Sequence, residues 1–170
     1  MTSLQALASS GLVRFTIPGG PESQSRHGFK GKQCHNKKAA LLNQRRAEIQ
    51  EGIRTEIPAQ NGPIFLNDWL VVELAFYFNR PRSQMRKKGG IFYLPKTIRN
   101  SFAFSFVQRR VDVDNLAKFV LDLMKGPIYT DDYQVVGLKV TKVYDDDDEC
   151  KGKTTVKVSK ISTLNELGLF

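Results

Sequence analysis

The ten residues Trp69–Phe78 (WLVVELAFYF) constrain the fold more than any other segment. Side chains alternate along a strand, so Leu70, Val72, Leu74, Phe76 and Phe78 share one pleat face. Val71, Ala75 and Tyr77 leave the other face largely apolar too. A strand apolar on both faces is covered on both, and the pattern predicts the centre of a sheet. Its neighbours are legible. Residues 12–17 are apolar-rich and run into the loop Pro18-Gly19-Gly20-Pro21, while residues 134–144 and 154–161 read as two strands joined by the acidic turn Asp145 to Glu149. Phe102, Phe104 and Phe106 alternate with smaller residues, as in a short strand that delivers the chain to Asp112.

Two helices complete the pattern. Asn36 can cap a helix over 37–52, with Leu42, Ile49 and Ile53 near one face and Arg45 and Arg46 away from the middle of that stripe. A second helix is expected over 113–125, its stripe made by Leu116, Phe119, Val120 and Leu123 and its end marked by Gly126-Pro127. Residues 18–36 and 79–101 read as basic loops, and no internal repeat is present. The expected architecture is one α+β domain, a mixed β-sheet with two main helices, over 12–161. A flexible N-terminus over 1–11 and a C-terminal tail over 162–170 would flank it.

Charge narrows the partners. A net charge of +9 with 41% hydrophobic residues describes a globular protein that meets a polyanion, nucleic acid before an anionic membrane surface. No apolar run is long enough to span a bilayer, residues 1–11 lack a basic secretory n-region, and the first thirteen residues carry no arginine at all. Arg14 is the first. Cys34 and Cys150 form neither a metal-spaced pair nor a disulfide framework. The expectation is a reducing, intracellular compartment without membrane attachment, with nucleus, organelle and cytoplasm indistinguishable. His27 and His35 read as loop residues, His27 the nearer to phosphate.

Within this basic chain, residues 80–110 hold no Asp or Glu, and then Asp112, Asp114, Asp131 and Asp132 follow. Acids that cluster against their own repulsion imply a shared counter-ion, and magnesium takes one or two carboxylates and completes its shell with water or phosphate. At i and i+2, Asp112 and Asp114 can face one ion. The plainer explanation is a helix start, where acids serve as caps and suit the macrodipole. Lys118 and Asp122 continue the face of Asp114 at steps of four. That is either an ion-pair ladder worth about 0.2–0.5 kcal/mol per pair, or a lysine beside the metal, oriented by Asp122 and stabilising charge on phosphate. Asp131-Asp132 alone is an ordinary turn; with the first pair it supplies the missing metal ligand. The run from Asp145 to Glu149 reads as a solvated turn facing away from substrate. DNA contacts are expected from Arg26, Lys30, Lys32 and Lys38, and from Arg80, Arg82, Arg86, Lys87, Lys88, Arg99 and Arg110.

The run Val111-Asp-Val-Asp-Asn-Leu-Ala-Lys118, with Asp122 and then Asp131-Asp-Tyr-Gln-Val135, resembles the signature of the RusA family of Holliday-junction resolvases, D-x-D-N-L-x-K followed by D-D-x-Q-V. Phe15-Thr-Ile-Pro18, Arg80-Pro-Arg-Ser83 and Lys142-Val-Tyr144 extend the likeness over roughly 12–161. The resemblance implies that Asp112, Asp114 and Asp132 are catalytic metal ligands and Lys118 an essential basic residue, with Asp131 a secondary candidate ligand. It also implies a magnesium-dependent homodimer (manganese being the alternative ion) that makes paired symmetric cuts in four-way DNA junctions during recombination and repair. Val111 stands where many members have proline, and Gln24-Ser25-Arg26 replaces a more basic stretch. Two other readings are a non-catalytic nucleic-acid-binding module, in which the aspartates have no role, and an Asp-x-Asp phosphatase, against which Asn115-Leu116 leads directly into helix.

Overall fold

The apolar strand does lie inside its sheet. The computed structural model describes residues 4–7, 11–23, 37–56, 62–101, 107, 111–146 and 151–162. Its elements are β1 (Leu4–Leu7), β2 (Leu12–Pro18), α1 (Lys37–Glu56), β3 (Trp69–Phe78), β4 (Arg86–Lys88), β5 (Ile91–Tyr93), α2 (Lys96–Arg99), α3 (Val113–Met124), β6 (Val135–Tyr144) and β7 (Lys153–Ile161). The main sheet has the order β1-β2-β7-β3-β6, and β4 with β5 forms a separate two-stranded ribbon. This is the expected single α+β domain with a mixed sheet and two main helices. Among the described residues no helix is long and apolar enough to cross a membrane.

The mixture of strand directions follows from the connections. β3 and β6 are parallel, joined through a segment that contains α3, as parallel neighbours require. β7 returns antiparallel along the other edge of β3. The two strands joined by the acidic turn are therefore not neighbours, because β3 lies between them. On one face Leu70, Val72, Leu74, Phe76 and Phe78 are buried with Val13, Phe15, Val156 and Val158 against Ile49 and Ile53 of α1 and Leu116, Phe119, Val120 and Leu123 of α3. Each such side chain contributes roughly 1.5–3 kcal/mol on burial.

Several expectations change. Leu4–Leu7, placed in a flexible N-terminus from sequence, pairs antiparallel with β2. The segment read as a loop over 79–101 holds the β4–β5 ribbon and α2, because Gly89 and Gly90 take positive φ and close a two-residue turn. α1 runs one turn beyond its predicted end. Arg46 does not point away from the core side: its guanidinium lies 5.4 Å from the Phe119 ring centroid and 3.6 Å from Asp122 of α3. Phe102, Phe104 and Phe106 lie outside the described residues.

The largest correction concerns charge at the carboxyl ends of β3 and β6. Arg80, expected on a DNA-binding surface, has a side chain with no solvent exposure. It donates from Nε to the Asp145 carbonyl (3.0 Å) and from Nη1 to Gln84 (3.1 Å), and it ion-pairs with Asp146. Its guanidinium also lies 5.4 Å from the ring centroid of Tyr144. Asp145 is 2% exposed and accepts from the Gly152 amide at 2.8 Å. The head of the acidic run is thus a buried tether rather than a solvated turn. Gly152 is fixed there by a φ of 81° and by Asn79 Oδ1, 2.5 Å from where a Cβ would stand. Removing a buried, hydrogen-bonded charge strands its partners, so Arg80→Met should lower the free energy of unfolding by about 3 kcal/mol. Lys139→Met on the exposed edge should change it by under about 0.5 kcal/mol. Denaturant midpoints at unchanged slope would measure both.

Candidate active site

Asp112 occupies the N-cap position of α3 in extended conformation (φ −71°, ψ 130°), yet its side chain caps nothing. This distinguishes it from an ordinary cap aspartate, whose carboxylate accepts a backbone amide from the first turn. Asn115 instead reaches Asp112 Oδ2 from Nδ2 at 3.4 Å, a long contact that orients the carboxylate from the side. Asp114 lies in the first turn, where the helix dipole favours its charge. Asp112, Asp114 and Lys118 are all exposed. Among the described residues Lys118 has no ion-pair partner, and Asp122, expected to orient it, pairs with Arg46. The ammonium of Lys118 is therefore presented to solvent one turn along from the two carboxylates.

The backbone before Asp112 is held by the sheet. Lys142, near the carboxyl end of β6, donates from Nζ to the Val111 carbonyl at 2.8 Å. The second acidic pair sits at the other end of the same strand. Asp131 caps the turn at Asp132–Gln134 in a reciprocal capping box, its Oδ1 accepting from the Asp132 amide at 2.6 Å while Gln134 Oε1 accepts from the Asp131 amide at 3.1 Å. Gln134 is buried and donates to the carbonyls of Phe65 and Asp68, both at 3.2 Å. Asp131 is therefore occupied structurally, and it also pairs with Lys125 at 2.8 Å. Asp132 is exposed and faces the hydroxyl of buried Tyr129, which donates to the Leu121 carbonyl at 2.8 Å. Burial first, and the Asp132 charge second, push that phenol far above its usual range.

The two acidic pairs thus stand at opposite ends of α3, whose 12 residues span about 18 Å. No group of three acidic, histidine or cysteine side chains able to hold a metal occurs among the described residues. Among the described residues of one copy, Asp132 forms no group with Asp112 and Asp114, and α3 lies between them. The first pair alone still fits a magnesium-type ion, which needs only one or two carboxylates beside water and phosphate.

The expected DNA contacts divide similarly. Arg82, Arg86, Lys87 and Lys88 are exposed, Arg99 closes α2 and is half-buried, and Arg80 is enclosed. Lys38 lies in α1, and Arg26, Lys30, Lys32 and Arg110 fall outside the described residues. Sequence reasoning missed Tyr129 and the apolar residues of the β4–β5 ribbon. Tyr129 gave no sequence signal, whereas Gly89-Gly90 between two three-residue segments marks a hairpin.

The chain is thus a mixed-sheet α+β domain with two aspartates at the start of a helix, a lysine one turn on and an exposed cationic ribbon. The family model described as endodeoxyribonuclease RusA matches residues 18–159, and the chain belongs to that family of crossover-junction endodeoxyribonucleases. No curated protein matched the chain.

Lys125 lowers the Asp131 titration below the usual carboxylate range, ahead of the Asp132 amide. A depressed carboxyl stabilises the fold above its unfolded pKa, and that contribution is lost as pH falls through the folded value. In Lys125→Met the Asp131 midpoint should therefore rise towards the ordinary value, read from its carboxyl carbon shift by NMR.

Proposed function

We propose that this protein cuts four-way DNA junctions in a metal-dependent hydrolysis centred on Asp112 and Asp114. The observation that carries the reading is the N-cap aspartate that does not cap. A carboxylate at a helix start, reached by Asn115 and making no cap bond, stands two residues from Asp114, where both can offer oxygens to one ion. When bound there, a divalent ion such as magnesium supplies an activated water and a counter-charge for phosphodiester oxygens. Lys118 stabilises negative charge developing on the phosphate. Lys142 holds the backbone ahead of Asp112 and so keeps the carboxylate pair in register with the sheet. The charges of Arg82, Arg86, Lys87 and Lys88 attract the DNA backbone, an attraction that weakens steeply with salt. A non-catalytic binding module would use the same cations but would give the aspartates nothing to do.

Asp132 remains in the proposed donor set, and a second copy of the chain is its source. Val136 and Leu138 are each 46% exposed on β6, the edge strand among the described residues, and Tyr133 (63%) just before it meets Trp69 (54%) at the start of β3 edge-on. Tyr133 directly follows Asp132. An exposed apolar edge strand is a surface that a subunit contact would cover. A two-fold dimer through it would bring Asp132 to an interface and pair two sites, as two opposed cuts on a junction require. Asp131 is left out of the donor set, since capping and Lys125 occupy it.

Asp114→Asn should reduce magnesium-dependent cutting of a synthetic four-way junction at least a hundredfold while leaving junction binding intact or tighter, as less negative charge faces phosphate. Cutting at near wild-type rate would refute the assignment. Asp114→Asn and Asp132→Asn should each be inactive alone, yet a refolded mixture should nick junctions, since one site per mixed dimer regains its donors. Light scattering should report twice the 19.2 kDa chain mass. A mixture as inert as its components would show that Asp132 does not act from a second copy.

A further inference from the structure

The β4–β5 ribbon is small, and everything on it faces outward. All six of its strand residues are exposed, and it shares no strand pairing with the main sheet. Isolated two-stranded hairpins are marginal in water. Here Gly89 and Gly90 make the turn with φ of 57° and 86°, and buried Leu94 anchors the chain directly after β5. One strand carries Arg86, Lys87 and Lys88; the other carries Ile91, Phe92 and Tyr93. The register sets a cation opposite every apolar residue: Arg86 against Tyr93, Lys87 against Phe92, Lys88 against Ile91. Arg82 adds a second cation to Phe92, its guanidinium 5.4 Å from the ring centroid, while Lys87 Nζ lies at 5.7 Å. Ile91 is 73% exposed, Phe92 38% and Tyr93 43%.

Ile91 and Tyr93 on one face of the ribbon and Phe92 on the other, all held in solvent, suit a ligand that is itself apolar on its faces. The cations opposite them, in a stretch of thirty-one residues from 80 to 110 without one acid, need that ligand to be anionic. A nucleic acid with unstacked bases meets both demands, because bases stack on aromatic rings while lysine and arginine hold the phosphates. An intact duplex meets only the second, since its base faces are covered. We propose that the β4–β5 ribbon is the branch-sensing element of this protein, placing Phe92 and Tyr93 against bases exposed where a DNA junction opens. The proposal rests on the junction-cutting reading for its substrate, but stacking is read from binding alone and needs neither metal nor cleavage.

The test uses the full chain in EDTA with a four-way junction carrying 2-aminopurine at the branch point, and a linear duplex of the same length as control. Binding of the wild-type protein should change the probe's fluorescence. Phe92→Ala with Tyr93→Ala should abolish that change and weaken junction binding about ten- to a hundredfold, the loss of one or two stacked bases. Linear duplex binding should stay within twofold. Phe92→Trp, which keeps a stacking surface, should retain the preference for the junction, while Lys87→Ala with Lys88→Ala should weaken junction and duplex alike. An unaltered junction preference in the double alanine variant, or equal losses on junction and duplex, would overturn the proposal. A wild-type protein that gives the fluorescence response but never cuts with magnesium would overturn the nuclease reading and leave the ribbon's role standing.

Discussion

The enclosed guanidinium of Arg80 ties together the carboxyl ends of the two parallel strands on which the site is built. β3 ends at Phe78 and β6 at Tyr144, and the Asp145 amide donates to the Phe78 carbonyl at 2.8 Å. Arg80 then grips the Asp145 carbonyl from one side while packing over Tyr144. Asp145 in turn receives the Gly152 amide, and the Gly152 carbonyl accepts from Gly19 at 3.1 Å. The ends of β2, β3 and β6 and the start of β7 are therefore cross-linked through one buried cation and one buried carboxylate. Removing either charged group leaves its own hydrogen-bonding partners, the Asp145 carbonyl and Asp146 in one case and the Gly152 amide in the other, without their match.

Strand β3, the apolar stripe of α3 and the order of the acidic residues were legible because each depends on local spacing. A period of two with both faces apolar admits few positions other than the middle of a sheet. Steps of three and four from Leu116 to Leu123 require a face to be buried. Arg80 was misread for a physical reason: charge in a sequence reports what a side chain carries, not where its carbonyl partners fold. The Asp145–Asp146 tether was misjudged for the same reason. The ribbon was missed because its basic strand resembles a loop by composition, although its glycine pair was visible.

The candidate site was half legible. Two aspartates at i and i+2 at a helix start are close in space whatever the fold, so their proximity was legible from sequence. Asp132 is 18 positions beyond Asp114, and its placement depends on the direction in which α3 runs. A right-angled return would have brought it alongside; instead the helix runs back along β6 and carries Asp132 to the far end. In D-D-x-Q-V the glutamine organises the turn, and the first aspartate caps it. Only the second aspartate of that motif keeps its carboxylate out of the capping box.

The contact between Lys142 and Val111 has an evolutionary corollary. The lysine binds a main-chain oxygen, which every residue type possesses, and asks nothing of the side chain or amide at that position. Proline supplies the same oxygen and lacks only the amide hydrogen. Valine can therefore replace a family proline ahead of the first aspartate without loosening the clamp. The clamp thus asks residue 111 for nothing but its carbonyl, whereas it asks residue 142 for a long side chain that ends in a donor.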